Sequence, residues 1–255
     1  MSFSDDAVTI TAGPAHHRSG VIVVHSSDVH VDNDYTARLH GGDGTAGLAS
    51  VLRAARQCHA DLVLLAGDTF ESHRLPPDLI ERAASVLAAA AIPIVLLPGN
   101  HDPAIPEAVF HHPSMAAVRN LHVLGITHDE AISFPALELE VWGRPHRDYV
   151  NMVPFEAVVP RRTRWQIAMG HGHYQPSAAG NGGPQPGWLI SDEDIAATGA
   201  DYVALGHWNR AARVGNGIAA YYCGSPDYAG TVNVVRLTGG GVEVTRAALD
   251  FTRGA

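Results

Sequence analysis

Five short apolar runs in this sequence end directly in carboxylate, carboxamide or imidazole side chains, and this pattern constrains the fold more than any other feature. The clearest run covers residues 92–97 and predicts a strand that is buried on both faces. A Pro-Gly pair then turns the chain out of the sheet, and Asn100, His101 and Asp102 follow at once. Sites in α/β folds lie at the carboxyl ends of strands, so this position predicts a functional site. A turn that is merely polar is the alternative.

Strands and helices alternate along the first part of the chain. Apolar runs predict strands over residues 21–25, 62–66 and 92–97, and apolar faces at helical spacing predict helices over 47–59 and 77–91. This alternation predicts a sheet of parallel strands that is covered by helices. Further strands are predicted over 121–124, 131–134, 137–142, 165–169 and 202–205, and closing antiparallel strands over 219–223, 231–236 and 242–249. The other predicted elements are a helical region over 105–118 interrupted near Pro113, an exposed loop over 175–187 and a short helix over 192–198.

Composition and charge exclude several classes of protein. The net charge is −9 and all 17 basic residues are arginines, which argues against the basic stripe that holds duplex nucleic acid. No apolar run approaches the roughly 20 residues that span a bilayer, and two cysteines make no disulfide framework. We therefore expect a cytoplasmic protein without a membrane partner. Residues 1–20 lack a signal-peptide pattern and are expected to be an irregular lead-in, whereas residues 21–255 contain no linker and are expected to form a single domain.

The polar residues at the strand ends are the candidate site. They are Asp28 and His30, Asp68, Asn100 and His101, His171, and His207 and Asn209. A lone histidine is more often structural than a ligand, but here five strand ends carry such groups together. Carboxylates that meet in one cleft repel one another or lose hydration, and a metal cation resolves this conflict. Mixed nitrogen and oxygen donors suit manganese, iron, zinc or nickel, so the sequence predicts a metal site.

The order of these motifs resembles the calcineurin-like metallophosphoesterase superfamily. The motifs are Asp-x-His, Gly-Asp, Gly-Asn-His-Asp, Gly-His and a final Gly-His-x-Asn, and they lie within residues 21–235. The segments 66–70, 201–208 and 222–226 resemble the bacterial DNA-repair exonuclease branch, although hydrolases of other substrates share them. The resemblance implies a metallophosphoesterase domain over 21–255 with the α/β fold of that superfamily, a four-layer αββα sandwich of two mixed sheets.

The resemblance also implies a site with two divalent or trivalent metal ions, manganese first and iron, zinc or nickel as alternatives. The ligands that it implies are Asp28 and His30 for the first ion, Asp68 as a bridge, and Asn100, His171 and His207 for the second ion. Asn209 stands where the family usually has a histidine ligand of the first ion. A carboxamide is a weaker ligand than imidazole, so the first ion is expected to bind loosely, to be a harder ion, or to enter only with substrate.

Other residues would act on the substrate. By resemblance, His101 would stabilise or protonate the leaving oxygen, and Asp102 would orient His101. Glu71 stands where relatives carry aspartate or, in repair nucleases, a histidine that contacts substrate phosphate. His173, close to His171, is expected to lie behind the metal ligands or in a loop, and is a candidate for substrate binding.

The function that these motifs imply is hydrolysis of a phosphoester by in-line attack of a metal hydroxide. We expect a phosphodiesterase, nuclease-like, acting on a nucleotide or a short nucleic acid. A phosphomonoesterase or a protein phosphatase is the alternative within the same chemistry. A scaffold that is stabilised by metal and has lost catalysis, as recorded by Asn209, is the alternative outside it.

Overall fold

The computed structural model describes residues 20–32, 34–149, 152–176 and 188–252. Most of the predicted lead-in (residues 1–19) and most of the predicted loop (residues 177–187) lie outside the described residues. The helices are α1 (Asp34–Leu39), α2 (Ala46–Gln57), α3 (Pro77–Ala89), α4 (Pro113–Ala116), α5 (Asp192–Ala197) and α6 (Pro226–Ala229). The first seven strands are β1 (Gly20–Ser26), β2 (Leu62–Ala66), β3 (Ile94–Leu97), β4 (Leu121–Val123), β5 (Ala131–Phe134), β6 (Leu139–Gly143) and β7 (Trp165–His171). The remaining strands are β8 (His173–Tyr174), β9 (Leu189–Ile190), β10 (Tyr202–Gly206), β11 (Ala212–Val214), β12 (Ala219–Tyr222), β13 (Thr231–Thr238) and β14 (Gly241–Ala248).

The first sheet has the strand order β14-β13-β1-β2-β3-β4. Strands β1 to β4 are parallel, with Val23 paired with Leu62 and Val63 paired with Ile94. Strands β13 and β14 are antiparallel to their neighbours and extend the sheet beyond β1. The predicted alternation of strands and helices is therefore confirmed for the parallel half of this sheet.

The second sheet has the strand order β11-β12-β10-β7-β6-β5. The four central strands are parallel, and β11 and β5 are antiparallel edges. Residues 219–223 are predicted to form a closing antiparallel strand, and this is wrong for one of the two strands that β12 pairs with. Strand β12 is antiparallel to β11 but parallel to β10, with Tyr202 opposite Ala219.

The two sheets pack face to face, and helices cover the outer faces. The layer between the sheets contains Leu64, Val141 and Met169, all fully buried. Residues of α2 and α3 pack on the outer face of the first sheet with Val63 and Leu65, while α5 contributes Ile195 to the core outside the second sheet. This layering confirms the predicted αββα sandwich of two mixed sheets. Among the helices of the described residues, none is long and apolar enough to cross a membrane.

Two local predictions differ from the structure. The strand predicted over 137–142 begins only at Leu139, because Pro135–Leu137 form a 3-10 turn, and β6 is buried along its whole length despite its alternating acidic residues. Glu140 is buried because the second sheet is covered on both faces, and it accepts a hydrogen bond from Gln166 Nε2 at 3.2 Å. In the predicted helical region 105–118, Pro113 begins α4 rather than only interrupting a helix, since proline is well suited to a first helical turn.

The parallel strands place the candidate site. In the first sheet, β1, β2 and β3 are parallel to one another. In the second sheet, β7 and β10 are parallel to each other. The polar residues singled out in the sequence lie in the segments that follow the carboxyl ends of these strands, except His171, which is the last residue of β7.

Candidate metal centre

Glycine residues let the strand ends approach one another closely. A Cβ atom at Gly67 would lie 2.0 Å from His171 Nδ1, and one at Gly99 would lie 2.3 Å from Asp68 Oδ1. Gly67 also has a φ angle of +88°, which favours glycine. Gly67 is therefore required by packing between the two sheets, and Gly99 by the close approach of the turn after β3 to Asp68.

His171 joins the two sheets at the centre of the site. Its Nδ1–H donates to the carbonyl oxygen of Ala66 at 2.9 Å, which directs Nε2 toward Asn100 Oδ1 and Asp68 Oδ2, both at 3.1 Å. Burial alone would lower the pKa of His171, but the carboxylates of Asp68 and Asp28 raise it to about 10. Burial would likewise raise the pKa of Asp68, but its pairing with His171 lowers it below the usual range. The carboxylates thus favour positive charge here, which a proton or a metal cation can supply.

Asp28 and His30 lie on the other side of Asp68. Asp28 is buried and accepts the backbone N–H of His207 at 2.9 and 3.0 Å, and the hydroxyl of Ser27. Burial raises the pKa of Asp28, and the nearby Asp68 carboxylate adds to this rise. His30 Nδ1 lies 2.9 Å from Glu71 Oε2, so Glu71 adjoins this group.

Three groups of side chains in the described residues could each hold a metal ion, because within each group the ligand atoms lie within 4.8 Å of one another. The groups are Asp28, His30 and Asp68; Asp68, His171 and His207; and His30, Glu71 and His101. Asp68 belongs to the first two groups, and the Asn100 carboxamide adjoins the second. Two buried carboxylates with imidazole neighbours form a mixed donor set that suits borderline divalent metals.

Several of these residues have unusual backbone angles. Asp28, His30, Asp68 and His207 have φ angles of 52°, 49°, 51° and 106°. Residues other than glycine adopt positive φ at an energetic cost, and such strain is found where the surrounding structure fixes a functional side chain. The backbone therefore turns these four side chains toward one another.

His101 borders the site but is partly open to solvent. Its backbone N–H donates to Asp68 Oδ1 at 2.8 Å, and its Nδ1–H donates to the carbonyl oxygen of Glu71 at 3.1 Å. Its ring meets the ring of His30 edge-on, with 4.8 Å between centroids. The side chain is 40% exposed, so its Nε2 is the nitrogen available to a substrate.

Asp102 makes its hydrogen bonds to the backbone rather than to the ring of His101. Its carboxylate accepts four backbone N–H groups, from Gly99 at 2.7 Å, Thr69 at 2.8 Å, Phe70 at 3.1 Å and Asp68 at 3.2 Å. Burial and the Asp68 carboxylate raise the pKa of Asp102 to about 6, against the effect of these donors. Asp102 therefore ties the turn after β3 to the turn after β2, and so positions Asp68.

Asn209 and His173, the two remaining candidates from the sequence, lie at different places in the site. Asn209 is exposed and lines a cavity of about 260 Å³ together with Asp28 and His30, so it faces the first group. His173 is also exposed, but its Nδ1 accepts the indole N–H of Trp208 at 3.1 Å and its ring centroid lies 6.3 Å from that of His207. His173 therefore lies beside the second group and outside the candidate ligand sets of the described residues.

Sequence reasoning missed several residues of this site. Tyr35, Ser225, Asp227 and Tyr228 line the same cavity from α1 and from the segment around α6. His146 is fully buried and its Nε2–H donates to the carbonyl oxygen of His171 at 3.0 Å. Ser225 lies in the segment 222–226, which was singled out for its resemblance but not as part of the site, whereas the other four residues lie outside the motifs, so only the tertiary arrangement identifies them.

Comparisons with known proteins identify a family and agree with the fold. The family described as calcineurin-like phosphoesterase matches residues 22–210. The protein TT1561 of Thermus thermophilus has a similar fold, with a TM-score of 0.55 and 14% identity over 89% of this chain and 98% of its own. A second solved structure has a TM-score of 0.56 and 14% identity over 91% of this chain and all of its own. No curated protein matches the sequence.

Proposed function

The chain belongs to the calcineurin-like phosphoesterase family, and on this basis we propose that it is a two-metal phosphodiesterase that acts on a nucleotide or a short nucleic acid. One observation carries the two-metal part of the proposal. Asp68 is shared by two neighbouring groups of potential ligands and is almost completely buried. A carboxylate in this position can bind one ion with each oxygen.

We assign Asp28, His30 and Asn209 to the first ion, Asp68 to both ions, and Asn100, His171 and His207 to the second ion. The ions, of which manganese is our first choice and iron, zinc or nickel the alternatives, would lower the pKa of a water nucleophile and neutralise phosphate charge. Because His171 Nδ1–H donates to the carbonyl oxygen of Ala66, Nε2 is the atom of this ring that would hold the second ion. The bond from His207 N–H to Asp28 couples the two halves of the site.

His101 is proposed to donate a proton to the leaving oxygen. The Glu71 carbonyl oxygen holds Nδ1–H, so the proton that is transferred is the one on Nε2. The partial exposure of the ring allows a substrate to reach it. Glu71 also lies beside His30, and we propose that it keeps both imidazoles oriented.

Preference for a small diester is supported by charge and by size. The net charge of −9 opposes binding of long duplex DNA, and a cavity of about 260 Å³ admits part of a small ligand. Kinship with the repair exonuclease branch remains a proposal that rests on three short sequence segments. Glu71, which is acidic where those nucleases have a phosphate-contacting histidine, opposes it.

The test is hydrolysis of bis-4-nitrophenyl phosphate and of 4-nitrophenyl phosphate by metal-stripped protein to which manganese is added. We expect hydrolysis that depends on metal and is faster for the diester. The Asp68→Asn variant, purified in the same way, controls for contaminating phosphatases. Faster hydrolysis of the monoester would identify a phosphomonoesterase, and no hydrolysis of either ester would identify a scaffold without catalysis.

A further inference from the structure

Two exposed tyrosines form one wall of the cavity beside the first metal group. Tyr35 in α1 is 53% exposed and Tyr228 in α6 is 64% exposed, and both line the cavity. Their rings are nearly parallel, with an angle of 22° between planes and 6.5 Å between centroids. Exposed aromatic faces in this arrangement gain free energy when a flat apolar group covers them.

The tyrosines and the metal ligands belong to the same cavity. Asp28, His30 and His101 line it together with Tyr35 and Tyr228. A single small ligand can therefore place a phosphate at the metal ligands and a ring system at the tyrosines. The volume of about 260 Å³ is slightly below the roughly 300–1,000 Å³ that is common for small-molecule sites, so the space suits one ring system rather than a long chain.

The charge of the cavity selects against a second phosphate. Its described lining includes the carboxylates of Asp28, Glu71 and Asp227 and contains no arginine. Asp227 Oδ1 lies 2.6 Å from His40 Nε2, and its carboxylate is nearly buried. An additional phosphate would meet these carboxylates with no arginine in the described lining to pair with, whereas a neutral heterocycle would not be repelled.

We propose that Tyr35 and Tyr228 determine substrate specificity by stacking on the nucleobase that is linked to the scissile phosphate. This inference rests on the proposed phosphodiesterase function and adds the part of the substrate that the metal ions do not bind. Two neutral polar residues, Thr36 and Ser225, line the same cavity. Stacking of one base on an aromatic side chain contributes roughly 10- to 100-fold in affinity.

The first experiment compares two diesters that share 4-nitrophenolate as the leaving group. Thymidine 5′-(4-nitrophenyl phosphate) carries a base, and methyl 4-nitrophenyl phosphate does not. We expect the wild type to prefer the thymidine ester, and Tyr35→Ala and Tyr228→Ala each to raise KM for that ester about tenfold without changing kcat/KM for the methyl ester. Tyr35→Phe and Tyr228→Phe keep the ring and should restore the low KM.

Tyr149→Ala is the matched control, because Tyr149 is 54% exposed and lies outside the cavity lining. It should leave both esters unaffected. If an alanine variant does not fold, the leucine variant at the same position removes the aromatic face and keeps the apolar bulk. Equal losses on the two esters, or an unchanged KM for the thymidine ester, would overturn the proposal.

A binding measurement separates this inference from the proposed function. Calorimetry with thymidine 5′-monophosphate and manganese-loaded protein reports stacking without turnover. We expect roughly tenfold weaker binding to Tyr35→Ala and Tyr228→Ala than to the wild type. If neither ester is hydrolysed, the phosphodiesterase assignment fails, and the calorimetry still decides whether the tyrosines bind a nucleotide. Equal affinity in wild type and variants would refute the stacking proposal.

Discussion

Asp102 provides a test of how the site is held together. Its carboxylate accepts backbone N–H groups from two turns, the one after β2 and the one after β3. In Asp102→Ala all four donors lose their acceptor, and the residues that carry them are buried. In Asp102→Asn one oxygen remains, and an amide group that cannot accept replaces the other.

The magnitude follows from these contacts. Each hydrogen bond contributes about 1 kcal/mol net, so loss of four predicts a decrease of about 4 kcal/mol in the free energy of unfolding. For a protein of this size, 1 kcal/mol corresponds to about 2–4 °C in Tm, so the alanine variant should melt about 8–16 °C lower. The asparagine variant should lose about half as much. Asp61→Ala is a comparison outside the site, because Asp61 Oδ2 accepts the N–H of Ile22 at 2.9 Å, and it should lose about 1 kcal/mol.

Urea unfolding of the metal-free proteins measures these differences without a contribution from metal binding. Hydrolysis of bis-4-nitrophenyl phosphate at saturating manganese is then measured on the folded asparagine variant. If Asp102→Asn kept wild-type stability and lost turnover only on esters with poor leaving groups, Asp102 would act through His101. That result would refute its assignment as the link between the two turns.

The remaining predictions concern His101, Asn209 and Gly67. His101→Ala should lower turnover of a phenyl ester by roughly 10²-fold and turnover of a nitrophenyl ester by less, while the metal content of the protein stays unchanged. Equal losses on both esters would exclude proton donation by His101. Asn209→His should tighten the first ion about tenfold, or about 1.4 kcal/mol, in a calorimetric manganese titration, and superimposable isotherms would show that Asn209 is not a ligand. Gly67→Ala places a Cβ 2.0 Å from His171 Nδ1, so it should lower the free energy of unfolding, measured in urea, by at least about 2 kcal/mol. Unchanged stability would show that the strand ends need not approach so closely.

The sequence predicted those parts of the structure that depend on local pattern. Strand β2 has the predicted bounds, because a continuous apolar run of five residues is buried on both faces of a parallel sheet. The residues brought together at the strand ends, such as Asp68 and His171, also followed from parallel strands that point to one edge. The position of each polar residue directly after an apolar run was sufficient for this prediction.

The parts that were missed depend on packing between distant segments. Asp102 follows His101 in the sequence, but the hydrogen-bond partners of the Asp102 carboxylate are mostly N–H groups about thirty residues earlier in the chain. Helices α1 and α6 are too short to show a periodic pattern, so the pairing of Tyr35 with Tyr228 could not be read from the sequence. Glu140 has the pattern of an exposed strand residue, and only the covering of both sheet faces buries it.

The bridging role of Asp68 is tested most directly by native mass spectrometry during a manganese titration of the metal-stripped protein, with hydrolysis of bis-4-nitrophenyl phosphate assayed on the same samples. We predict that the wild type binds two ions per chain and that hydrolysis appears with the second, because Asp68 lies in both ligand groups. Asp68→Asn should hold at most one ion and be inactive. Full hydrolysis with one ion per chain, or two tightly bound ions in Asp68→Asn, would contradict a dinuclear site bridged by this carboxylate.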